Sequence, residues 1–91
     1  MTLLDVVRDL GVFDVDATIY AKEPWSAEAE AAVVEWTPFR SPPDLIARGL
    51  IQFMSVEMAR DFLGAWLGSV SERPSLQEQC ARLIHYSVFD A

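Results

Sequence analysis

The side chains best equipped for chemistry in this chain are few and scattered. Cys80 is the only cysteine and His85 the only histidine. Five residues apart on one helix, they turn to different faces and form no close dyad. Cys80 falls at an apolar helical position, the usual setting of a core thiol. His85 sits near a helix C-terminus, where the dipole favours its charged form. One Cys and one His cannot close a structural zinc site. Asp14-Val-Asp16 offers two carboxylates for calcium or magnesium, but no glycine turn and no closing glutamate follow at loop spacing. A solvated turn is the better reading. Glu28, Glu30 and Glu35 include pairs suited to general acid and base work, yet no second feature converges on them. They read as an acidic face or loop. No glycine-rich phosphate loop, Gly-x-Ser-x-Gly elbow or His-Glu-x-x-His pattern occurs. The sequence therefore names no catalytic, cofactor-binding or metal-binding residue.

What it does offer is a candidate partner surface. Trp25 and Trp36 flank the acidic stretch, and aromatics beside charge are typical of interface anchors, although packing in the core or a turn is their commoner use. The candidate partner-binding residues are thus Trp25, Glu28, Glu30, Glu35 and Trp36. Net charge is −7, unevenly placed: residues 1–35 hold eight acids against Arg8 and Lys22, and residues 36–91 hold six acids against five arginines. An acidic face repels phosphate, which argues against nucleic acid and anionic membranes and toward a basic protein partner. The single cysteine forms no intramolecular disulfide, which fits a cytoplasmic protein. MTLLDVVRDLG lacks a basic n-region and a long apolar stretch, so it reads as neither signal peptide nor anchor.

The elements that must position these groups belong to one domain of 91 residues, 52% apolar and so able to bury a core. Residues 49–70 organise it. Leu50, Ile51, Phe53 and Met54 make a short strand, and Ser55 caps a helix with Glu57 in its first turn. Ala59, Phe62, Leu63, Trp66, Leu67 and Val70 share that helix's apolar face, with Arg60, Asp61 and Gly64 opposite. Gly64 and Gly68 lie on one stripe, which predicts close approach of another backbone within the chain or in a paired copy.

Upstream, Thr2 and Asp5 stand in capping-box spacing before a helix with Leu3, Val6, Val7 and Leu10 inward and Gly11 as its left-handed stop. Residues 17–22 read as a strand ended by Glu23-Pro24. Residues 26–36 fit either a helix capped by Ser26 or a strand starting near Ala31. Val33 and Val34 beside Trp36-Thr37-Pro38, and the need of the first strand for a neighbour, favour the strand. Ser41-Pro-Pro-Asp44 opens a short helix closed by Gly49. Ser75-Leu-Gln-Glu78 is a full capping box for a last helix, with Leu76, Cys80, Leu83 and Ile84 inward and a Glu78–Arg82 pair outside. Tyr86, Val88 and Phe89 form an apolar tail in need of a docking place.

Asp16-Ala-Thr-Ile-Tyr20, Glu23-Pro-Trp25 and the Gly49–Ser55 strand entering a helix resemble a family of small bacterial proteins of unknown function. The resemblance implies a bacterial, cytosolic setting and an α+β order of elements, and carries no activity to any residue. Size and acidity are also similar to those of toxin-neutralising immunity proteins. The expectation is a single α+β domain, a small antiparallel sheet of about three strands packed against helices in the order α-β-β-α-β-α-α, the fourth element short. Its expected role is a non-enzymatic protein-interaction module with an acidic face and no cofactor. The alternatives are a homo-oligomeric (for instance dimeric) structural subunit, joined through Gly64/Gly68 or the C-terminal tail, and a small-molecule-binding or enzymatic domain.

Overall fold

The computed structural model describes residues 1–35 and 43–89. Helix α1 (Leu3–Arg8) passes through a 3-10 turn (Leu10–Val12) to β1 (Ala17–Lys22) and β2 (Ala31–Glu35). Then follow a short α2 (Pro43–Ala47), β3 (Leu50–Ser55), α3 (Val56–Ser69) and α4 (Leu76–Phe89). The sheet is antiparallel in the order β2-β1-β3. This is the α+β order expected. Ser41, Thr37 and Pro38, invoked above as cap and breakers, lie outside the described residues, as does Trp36.

Residues 31–35 are strand although Ala and Glu favour helix, because pairing outweighs a propensity of a few tenths of a kcal/mol per residue. β1 occupies the middle of the sheet and takes β2 along one side, from Ala17↔Glu35 to Ala21↔Ala31. The loop before β2 also serves α1. The amides of Leu3 and Leu4, orphan donors of the first helical turn, reach the carbonyls of Ala29 and Ala27 at 2.9 and 3.0 Å. Thr2 and Asp5 close the capping box predicted for them, through bonds of 2.9 and 3.2 Å.

A bulge in β3 sorts its side chains. Ile19 pairs with Met54 but Tyr20 with Gln52, so Phe53 is the extra residue. Phe53 and Met54 consequently both enter the main core, with Leu3, Val6, Ile19, Val56, Ala59, Leu63, Cys80 and Leu83. Leu50 faces the other side of the sheet, where Tyr20 and Leu45 of α2 enclose it. Each fully buried aliphatic chain stabilises the fold by roughly 1.5–3 kcal/mol.

Several expectations are corrected. Gly11 is not the left-handed stop, since the chain tightens into the 3-10 turn instead; the positive-φ glycine is Gly49 at +82°, which closes α2. Among the described residues no backbone of the same chain approaches Gly64 or Gly68, where an added methyl would meet nothing within 4 Å. With only three strands to cover, α3 buries Val56, Ala59 and Leu63 but leaves Phe62, Trp66 and Leu67 half-exposed. Leu76 is exposed, and Gln79 takes its place inward, donating to the Pro74 carbonyl at 3.0 Å. Arg60 does not idle on an outer face. It donates to the Leu10 carbonyl at 3.0 Å and to that of Phe13, fastening α3 to the segment leading into β1. Glu78 closes its cap with Ser75, while Arg82 turns to lie 5.6 Å from the Phe62 ring centre.

Candidate functional site

The sheet register decides which charges meet. β1 runs antiparallel to both neighbours, so the end at which it starts is the end at which β2 and β3 finish. Ala17↔Glu35 sets Glu35 beside the Asp14–Asp16 turn, and Thr18↔Ser55 sets the first turn of α3 on the other side. The turn is held locally, with the Asp16 amide donating to the Asp14 carboxylate at 2.9 Å and the Ala17 amide to the Asp14 carbonyl at 3.0 Å. Ser55 caps α3 by accepting the Met58 amide at 3.1 Å, and Glu57 stands in that first turn, where the dipole tolerates it. Together these three segments line a hollow of about 490 Å3, walled by Asp14, Asp16, Thr18, Glu35, Ser55 and Glu57, with Val15 at its edge.

A second hollow of about 490 Å3 adjoins it across Ser55 and Glu57. Its remaining lining is Met58, Asp61, Phe62 and Tyr86. Phe62 and Tyr86 stack with ring centres 4.1 Å apart and planes 14° from parallel. Trp66 lines a smaller hollow at the α3–α4 connection, and Phe62 is not among the described residues of that lining.

The partner-binding candidates read from the sequence are not one surface. Trp25 is half-buried; its ring meets Phe53 edge-on at 4.9 Å, and its indole N–H donates to the Ala21 carbonyl at 3.2 Å. It is a core wedge at the end of β1. Glu28 is exposed in the β1–β2 loop, and Glu30 pairs with Arg48, whose guanidinium holds the Glu30 carboxyl below its usual range. Glu35 lies five residues farther along β2, roughly 16 Å from Glu30 at the rise of a strand. Trp36 is outside the described residues. Asp14, Asp16 and Glu57 were not on the sequence's candidate surface, and only the strand pairing brings them to Glu35. Asp61, also outside it, lines the adjoining hollow.

What this arrangement can do is limited by what lines it. Among the described residues no group of three or more His, Cys, Asp or Glu side chains is placed to hold a metal ion. Among the described residues neither hollow is lined by His, Cys or Lys, and the Ser55 hydroxyl is engaged as a helix cap. Cys80 is fully buried, and desolvation, with a smaller contribution from the Glu28 charge, pushes its thiol up to about 11. A protonated, inaccessible thiol is no nucleophile at neutral pH. His85 is exposed near the end of α4, 3.3 Å from Arg82 and tilted against Phe89. No described helix is long and apolar enough to cross a membrane. Comparison with known proteins adds no identity: no family model, curated protein or solved structure matches the chain.

Proposed function

We propose that the chain is a non-enzymatic protein-interaction module that receives a basic partner at the end of the sheet where Asp14, Asp16, Glu35 and Glu57 meet. The observation that carries this reading is the lining of that hollow. Four carboxylates from three separated segments share it, and among the described residues no Lys, Arg or His lines it. The three ion pairs among the described residues use Asp5, Asp9 and Glu30, and none of them involves these four. Carboxylates of one sign facing one hollow attract a cationic partner and steer its encounter. In the bacterial cytosol that the family resemblance implies, such a partner is another polypeptide rather than a nucleic acid.

This docking end lies at the finish of β2, away from Glu28 and Glu30, and charge reversal separates the two places. The measurement is affinity capture from the native host, with salt elution and mass spectrometry of what co-purifies. Glu35→Lys combined with Glu57→Lys is expected to abolish a salt-sensitive partner, whereas Glu28→Lys combined with Glu30→Lys retains it. The opposite pattern, in variants with unchanged circular dichroism, overturns the assignment.

A further inference from the structure

We infer that the partner presents a basic segment carrying one large apolar side chain, and that this side chain seats in the groove between α3 and α4. The inference rests on the proposed acidic docking end and specifies what lies beside it. The groove has an apolar floor and an acidic rim. Met58 is 49% exposed although it is a large thioether, and Phe62 and Tyr86 are half-buried beside it. The stacked rings, with the Arg82 guanidinium also over Phe62, give a floor already fixed before anything docks. Methionine adapts its shape to whatever apolar group arrives, and a hollow of about 490 Å3 is within the size range of ligand pockets.

Charge complementarity decides the occupant. Glu57 and Asp61 rim this groove, and Asp14, Asp16 and Glu35 lie just beyond Glu57 in the adjoining hollow. An acidic segment would bring its charges against five carboxylates, which outnumber the Arg82 guanidinium over Phe62, and a neutral one would gain nothing from them. A lysine- and arginine-bearing segment satisfies both hollows at once, its anchor in one and its cations along the other. The anchor supplies affinity by leaving water, while the cations set encounter rate and register.

The test uses the full chain and fluorescein-labelled twelve-residue peptides of alternating lysine and glycine, one with a central tryptophan and one with glycine there. Binding is followed by fluorescence anisotropy at low and high salt. The tryptophan peptide is expected to bind roughly tenfold more tightly than the glycine peptide, a difference of about 1.4 kcal/mol. Met58→Ala, at an exposed position, is expected to erase that advantage while leaving salt-sensitive binding of the glycine peptide intact. Glu35→Gln with Asp16→Asn weakens both peptides. Equal binding of the two peptides, or an advantage that survives Met58→Ala, overturns the anchor groove and leaves the acidic docking end standing. Failure of both peptides to bind at low salt, or binding indifferent to the Glu35/Asp16 variant, overturns the acidic docking end itself.

Discussion

The two ends of β2 employ the same kinds of residue in opposite ways. At its start, charge and aromatic surface are consumed internally: Glu30 holds Arg48, Trp25 wedges against Phe53, and the loop carbonyls of Ala27 and Ala29 satisfy the first turn of α1. At its finish, Glu35 joins Asp14, Asp16 and Glu57 around a hollow with no cation among its described lining residues. The difference teaches that a residue's type and its nearest neighbours in sequence do not reveal its employment. Glu30 is set against an arginine by the fold, whereas Glu35 is set among described companions of its own sign.

The comparison is most severely tried by truncation. Leu3→Ala, at a fully buried position beside the start of β2, is expected to cost about 2–5 kcal/mol in urea unfolding, whereas Val15→Ala at the edge of the hollow stays within about 0.5 kcal/mol. A large loss at Val15 would mean that the hollow is part of the structural core. Next in size is Arg60→Ala, which leaves the Leu10 and Phe13 carbonyls without their donor. It is expected to cost about 1–3 kcal/mol and to weaken peptide binding, because the chain entering the Asp14 turn loses its fastening. An unchanged urea midpoint would show that the turn is held by its local bonds alone.

Glycine repeats the contrast between used and unused positions. Gly49, at φ +82° beneath the Lys22 side chain, is required by its turn, so Gly49→Ala is expected to lower stability. Gly64 is exposed in mid-helix with open space around it, so Gly64→Ala is expected to raise stability by about 0.4–1 kcal/mol. Thermal melts of the pair decide this, and destabilisation by Gly64→Ala would restore a close contact at that stripe.

The smallest effect is electrostatic. The Arg48 guanidinium lowers the Glu30 pKa in the fold, so this pair's contribution is present above the ordinary glutamate value of about 4.3 and lost as pH falls through the lowered one. Glu30→Gln and Arg48→Met should therefore each flatten the acid limb of stability against pH. An acid limb identical to that of the parent in both would remove Glu30 from the internally engaged group.

The sequence by itself determined the helices, their caps and the buried thiol. Thr2/Asp5, Ser55 and Ser75/Glu78 cap as their spacing predicts, and Leu3, Val6, Val7, Cys80 and Leu83 are buried as their periodicity predicts. Those signals pass between residues three or four apart, which one helical turn brings into contact whatever the rest of the chain does. The β-bulge at Phe53, the reach of Arg60 across α3, the inward turn of Gln79 and the meeting of Asp14, Asp16, Glu35 and Glu57 were decided only by tertiary structure. The bulge and the meeting of the carboxylates depend on which strand pairs with which and in what register. Ala17↔Glu35 and Thr18↔Ser55 join residues 18 and 37 positions apart, and no local pattern fixes contacts of that span.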